Sequence, residues 1–242
     1  MNEFKVAIVT GASSGIGAAV VKRLSSMNFK VIMLARDLCR MDLVAEQCKA
    51  KFKPVPIVID LKNSGSVNNA FAKIKKDFGH IDVFCAVAGI FLNESPISKQ
   101  LDFEWNDVIE TNLTGVMRCI RSSWPLFSRG ASIVTVGSVL GHMSQPEVGA
   151  YAVSKAGLVH LTKCMSVGLA PEVLVNCVAP GYMEGTKMSE RLASSYRKAA
   201  VSRALLERAA SKRDIAEQVV AFCKTDSVTG QTLVMDSGRM HN

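Results

Sequence analysis

Long apolar runs are missing from this sequence: no stretch approaches the roughly 20 residues needed to span a bilayer, so no membrane helix is expected. No secretory leader is expected either. The chain enters at once on the strand-like run Phe4-Lys-Val-Ala-Ile-Val-Thr10, and its last three residues, Met-His-Asn, do not resemble a peroxisomal address. A cytoplasmic location is the expectation that remains. The seven cysteines (39, 48, 85, 119, 164, 177, 223) form no Cys-x-x-Cys pair and no zinc-ligand spacing. Such scattered thiols suggest reduced, buried cysteines and no metal site. Aromatics are scarce, at 6%, which leaves the core to Ala, Val, Leu and Ile. Long basic runs are also lacking. The net charge is +8, yet basic residues alternate with acidic ones and no aromatics are interleaved among them, so no nucleic-acid surface is expected. A basic surface that attracts small anionic ligands is the milder consequence. There is no linker, repeat or charge block, and 242 residues suit one sizeable core, so residues 1–242 are expected to form a single domain.

What is present is alternation. Short β-branched runs at 5–10, 30–35, 55–60, 82–88, 132–137, 173–178 and 232–235 read as strands. Helical patterns at 15–27, 38–51, 65–78, 102–128, 149–169 and 213–224 lie between them. The strands are nearly continuous apolar runs, as expected where both faces are buried in a parallel sheet. Strand–helix alternation of this kind predicts an α/β, doubly wound Rossmann-type sheet of about seven strands flanked by helices. The segment from about 182 to 211 carries no strand and is a candidate substrate lid.

Thr10-Gly-Ala-Ser-Ser-Gly-Ile-Gly17 falls where the first strand becomes the first helix. Glycines there allow a tight turn and close approach to a phosphate, and the helix start offers unpaired N–H groups to a pyrophosphate. Gly11, Ser13, Ser14, Gly15, Ile16 and Gly17 are therefore candidate cofactor residues. At the end of the second strand, Val31-Ile-Met-Leu-Ala-Arg-Asp37 offers an arginine and an acid. An acid there would bind a ribose hydroxyl and favour NAD(H), whereas an arginine accommodates the 2′-phosphate of NADP(H). Asp37 reads as the N-cap of the next helix, which leaves Arg36 to the phosphate and favours NADP(H). Asp60-Leu61, ending the third strand, suits the adenine, although a solvated strand-end carboxylate is an equally plain reading.

Tyr151-Ala-Val-Ser-Lys155 places a phenol and an ammonium on one helix face, about 6 Å apart along the axis. A nearby ammonium favours a phenolate, so the pair suits proton exchange with a carbonyl or alcohol oxygen. Ser138 ends the fifth strand, on the side where doubly wound sheets bind ligands, and could orient that oxygen.

The glycine motif, Ser138, Tyr151-x-x-x-Lys155 and Asn176-Cys-Val-Ala-Pro180-Gly181 follow the order and spacing of the classical short-chain dehydrogenase/reductase family. The resemblance covers essentially the whole chain and extends to Asp60-Leu61, Asn112-Leu113 and Thr229-Gly230-Gln231. It implies a homodimer or homotetramer. It also implies that Tyr151 is the general acid/base, that Ser138 binds the substrate oxygen, and that Lys155 binds the nicotinamide ribose and depresses the Tyr151 pKa. By the same resemblance Asn112 would hold a water of the proton relay. Ala88, Gly89, Pro180, Gly181 and Thr186 would line the cofactor, Thr186 one residue later than is usual. Three departures stand out. Val87 replaces a family asparagine in Ala86-Val-Ala-Gly89, the segment 222–230 is short, and Asp236-Ser-Gly238 replaces Asp-Gly-Gly.

The leading expectation is an NADP(H)-dependent oxidoreductase acting on a carbonyl or alcohol, its direction unspecified. An imine or an activated alkene is the alternative electrophile. From a different class, a non-catalytic or regulatory subunit, perhaps paired with a related chain, is the competing reading. Met143, Tyr182 and Met183, with Phe91, Leu92, Met188 and Leu192, are expected to form an apolar substrate pocket, suited to a small hydrophobic or aromatic compound.

Overall fold

The computed structural model describes residues 4–241. Seven parallel strands make one sheet in the order β3-β2-β1-β4-β5-β6-β7. They are β1 (Val6–Thr10), β2 (Lys30–Ala35), β3 (Val55–Val58), β4 (Ile81–Ala86), β5 (Phe127–Val136), β6 (Val173–Pro180) and β7 (Thr232–Met235). The helices are α1 (Gly15–Ser26), α2 (Leu38–Glu46), α3 (Ser64–Phe78), α4 (Asp102–Ile109), α5 (Gly115–Ser123), α6 (Gly149–Leu169), α7 (Ser194–Ser202) and α8 (Lys212–Phe222).

Alternation along the strands feeds two cores. Val6 and Ile8 of β1, with Ile32 and Leu34 of β2, pack against α3, α5 and α6. Ala7 and Val9, with Val31 and Met33, pack against α1, α2 and α8. In α3 the buried residues Val67, Ala70, Phe71 and Ile74 recur at helical spacing and form one stripe. Its ends follow from sequence: the Asn63 side chain accepts the N–H of Ser66, and Gly79 stops the helix at φ +76°. Each fully buried aliphatic side chain contributes about 1.5–3 kcal/mol. The strand order reverses between β1 and β4, and a crevice opens there beyond the carboxyl ends of the strands.

Residues 102–128 do not form one helix. After α4 the chain takes a wide π turn over Glu110–Thr114, resumes as α5, and leaves helix at Trp124–Leu126. Pro125 cannot continue a helical ladder, and β5 then begins at Phe127, five residues before its expected start at 132. Helix α2 stops at Glu46 rather than near 51. The lysine-rich stretch that follows has no apolar stripe for another turn, and Phe52 instead lies beside Phe4, ring centres 5.8 Å apart. The strandless segment 182–211 carries α7 and a short turn at Ser189–Arg191. It is tied to the core by Arg191 Nη1 donating to the Phe91 carbonyl (2.9 Å) and by the Leu206 N–H donating to the Ser237 carbonyl (3.0 Å).

The cysteines are all free, but only Cys85, Cys119 and Cys177 are buried; Cys39 and Cys164 are exposed. Among the described residues no helix is long and apolar enough to cross a membrane, and no His/Cys/Asp/Glu cluster could hold a metal ion.

Candidate active site

A cleft of about 960 Å3 runs along the crevice and brings the two ends of the sequence argument together. At one end, β1 turns into α1 through Gly11. A Cβ on Gly11 would come within 2.8 Å of the Ala88 Cα, and one on Gly17 within 2.2 Å of the Gly11 carbonyl oxygen. Both positions therefore require glycine for close approach. Ser14 precedes α1 without a side-chain cap, and no acidic residue occupies the first turn. The N–H groups of that turn lack helical acceptors and lie at the positive end of the dipole. This uncapped, acid-free start fits a pyrophosphate. Ser13, Ser14, Gly15 and Ile16 line the cleft with the two glycines.

Farther along, Arg36 lines the cleft and Asp37 does cap α2, accepting the Arg40 N–H at 3.1 Å. Arg40, which sequence reasoning missed, also lines the cleft, and its Nε lies 3.2 Å from the Asp37 carboxylate. The acid beside the expected ribose position is thus paired internally, with two guanidiniums close by. Asp60 and Leu61 line the same end, where an Asp60 carboxylate oxygen accepts the Lys62 N–H at 3.1 Å.

The loop after β4 is held by Thr10, whose hydroxyl accepts the N–H groups of Val87 (3.0 Å) and Ala88 (3.1 Å). The Val87 side chain packs into the apolar layer around α1, α2 and α8, so the missing asparagine leaves no orphaned amide here. Asn112 is fully buried and does not line the cleft. Its Oδ1 accepts the Ile90 N–H (2.7 Å), while Nδ2 donates to the Ile90 carbonyl (2.9 Å) and the Ser154 hydroxyl (3.0 Å). Both amide hydrogens are taken, so this side chain fastens the loop to α6. The π turn is what carries it inward, and helical periodicity gives no warning of such a turn.

At the chemical end, Ser138, Tyr151 and Lys155 meet in the cleft. The Ser138 Oγ accepts the Leu140 N–H at 3.2 Å, which leaves its own hydrogen to donate, and it lies close enough to the Tyr151 phenol to favour its anion. Lys155 is almost completely buried, and its Nζ donates to the Val136 carbonyl at 2.8 Å. Burial pushes the Tyr151 phenol up to about 12; the contact with Ser138 opposes this, and the neighbouring Tyr196 adds to it. Burial likewise brings the Lys155 ammonium down to about 8. For Tyr151, removal of the phenol from water outweighs the contact with Ser138 that would stabilise its anion.

Ala88, Gly89, Pro180, Gly181 and Thr186 all line the cleft. The Thr186 hydroxyl is engaged with Ser189, accepting that residue's N–H at 3.0 Å. Of the expected substrate walls, Phe91, Tyr182, Met183, Met188 and Leu192 are present, but Met143 and Leu92 are not. Met143 packs instead onto the cluster of Phe91, Val139, Leu140 and Val148, outside the lining. Phe91 meets Tyr151 edge to face, centres 5.7 Å apart. Tyr196, on α7, lines this end and was not anticipated from sequence.

A family model described as short chain dehydrogenase matches residues 5–197. The protein named 3-oxoacyl-acyl-carrier-protein reductase FabG from Escherichia coli (strain K12) is 33% identical over 242 residues, covering 98% of this chain and 97% of that protein. The protein of the same name from Staphylococcus aureus (strain Mu50) is 32% identical over 246 residues, covering 98% of this chain and 99% of that one. Among solved structures, a short-chain type dehydrogenase/reductase from Mycobacterium marinum superposes with a TM-score of 0.92 at 28% identity, covering 98% of this chain and 96% of that chain. A dehydrogenase/reductase from Sinorhizobium meliloti 1021 gives a TM-score of 0.90 at 29% identity, covering 97% and 94%.

Proposed function

The chain belongs to the short-chain dehydrogenase family, and on that premise we propose that it is an NADP(H)-dependent reductase of hydrophobic carbonyl compounds. The observation that carries the reading is that Ser138, Tyr151 and a buried Lys155 line one cleft, the tyrosine and lysine one helical turn apart. With its phenol pushed up to about 12, Tyr151 holds its proton throughout the physiological range, so the acid is loaded before each turnover. Ser138 donates to the substrate oxygen and fixes it against the Tyr151 hydroxyl. As the Tyr151 proton leaves, the Lys155 ammonium offsets the charge developing on the phenol oxygen. The dinucleotide would be held by the Gly11–Gly17 turn, Arg36, Arg40, Gly89, Lys155 and Pro180-Gly181. Its nicotinamide supplies the hydride.

The preference for the phosphorylated cofactor rests on Arg36 and Arg40 around an Asp37 that is already paired. Phe91, Met188 and Leu192 give the substrate an apolar berth. The relatives named 3-oxoacyl-acyl-carrier-protein reductase favour an acyl chain over an aromatic ring as its occupant. The segment 182–211 supplies much of that wall and is read as the substrate lid of a single domain. The assembly that fits the family is a homodimer or homotetramer, which light scattering on the purified protein would reveal.

The test is the oxidation of NADPH, followed by absorbance, with a 3-oxoacyl thioester and a panel of ketones. Tyr151→Phe should cost turnover about 100- to 10,000-fold while NADPH binding changes little. A Phe variant as active as wild type would remove Tyr151 from the reaction. A wild type that binds NADPH but reduces nothing would favour the regulatory-subunit reading.

A further inference from the structure

Arg239 lies just after β7, in the last turn of the described chain, yet it is only 5% exposed. Among the described residues no carboxylate pairs with it. The nearest acid in sequence, Asp236, is occupied by the N–H groups of Gly238 (2.9 Å) and Met240 (2.8 Å), contacts that fix the turn. Among the described residues its buried Nε has no partner. What the guanidinium does contact is Tyr196: Nη1 donates to the phenol oxygen at 3.0 Å, and its carbon stands 5.1 Å from the ring centre. Among the described residues this buried cation is held by a phenol and not by an acid, a costly arrangement, and the phenol in question lines the cleft.

The consequence falls on Tyr196. Its oxygen accepts from Arg239, so its own hydrogen points elsewhere, and a phenol polarised by a cation is a stronger donor than a free one. Tyr196 lines the cleft at the end shared by Tyr151, Met188 and Leu192. Its proximity to Tyr151 is felt electrostatically, since it raises the pKa of that phenol. Two phenols therefore converge on one substrate space. With Tyr151 assigned to the reacting oxygen, Tyr196 is left as a second donor beside it.

We propose that Tyr196 is a specificity-determining residue that hydrogen-bonds a second oxygen of the substrate, and that Arg239 is the positioning residue that holds and polarises it. The site then favours carbonyl compounds that carry another acceptor oxygen beyond the reacting carbonyl over plain ketones of the same length. This rests on the reductase reading above.

The experiment compares ethyl acetoacetate with heptan-2-one, which matches its chain length but lacks the ester oxygens, using NADPH and the whole protein. The readout is the ratio of the two kcat/KM values. Tyr196→Phe keeps the ring and removes only the hydroxyl; the ratio should fall about tenfold, the scale of one lost hydrogen bond. Arg239→Met should lower the same ratio. The double variant should lower it no further than Tyr196→Phe alone, because the arginine acts through the phenol. A ratio unchanged by Tyr196→Phe would overturn the proposal while leaving the reductase reading intact, as would an equal loss on both ketones. A wild type that reduces neither compound nor any carbonyl in the panel would bring down the reductase reading, and this inference with it.

Discussion

The ammonium nitrogen of Lys155 lies 2.8 Å from the carbonyl oxygen of Val136 and 5.8 Å from the centre of the Tyr151 ring. A neutral acceptor holds the cation, and burial makes its charge easier to lose than that of an ordinary lysine, with a pKa of about 8. The Tyr151 phenol, at about 12, keeps its proton well beyond that point. The direction of the pH effect follows from these two values. Below about 8 the acid is loaded and the offsetting cation is present; above it the cation is lost first. We expect kcat/KM for carbonyl reduction to be level through neutrality and to fall above about 8. A profile measured with NADPH checks this, and a rate still rising well above that point would contradict it.

Arg36 and Arg40 sit at the same end of the cleft, and Arg40 already pairs with Asp37. A 2′-phosphate would meet two guanidiniums there, whereas a bare ribose would find its acidic partner engaged. Replacing either arginine by alanine should raise the KM for NADPH about 10- to 100-fold, the scale of a charge-assisted hydrogen bond, with little change for NADH. Equal losses with both cofactors would mean that these side chains do not read the phosphate.

Thr10→Val preserves shape and removes the hydroxyl that accepts two backbone N–H groups. The Val87 N–H keeps the Cys85 carbonyl (3.1 Å), but the Ala88 N–H loses its acceptor, and an unsatisfied donor costs about 1–3 kcal/mol. Urea unfolding should report a loss of this size. The KM for NADPH should also rise, because the loop so held carries Ala88 and Gly89 into the cleft. A variant as stable as wild type would mean that the loop finds other acceptors.

Most of the sheet was legible because each strand is an apolar run with β-branched residues, and Gly11–Gly17 sits where a strand meets a helix. The errors have local causes. The π turn at Glu110–Thr114 does not disturb the apolar spacing enough to show, so 102–128 reads as one helix until Pro125 is given its weight. Arg40 was findable, since its spacing of three from Asp37 suits a helical ion pair. Met143 reads as a pocket residue because methionines often line adaptable sites, but it packs, half-buried, onto Val139 and Leu140 and stays outside the lining. Tyr196 and Arg239 are 43 residues apart and meet only through tertiary packing, which no local pattern announces.

Gly11 is pressed against Ala88, and the next residue, Gly89, leaves only enough room that an added methyl would touch both the Lys155 ammonium and the Asn112 amide, at 3.2 and 3.4 Å. The two glycines are thus guarded differently: a side chain at position 11 would strike backbone that cannot yield, whereas one at position 89 would push on the end of the lysine itself. A bulkier residue at 89 would therefore displace the ammonium beside the proton-transfer group even though it never meets the substrate.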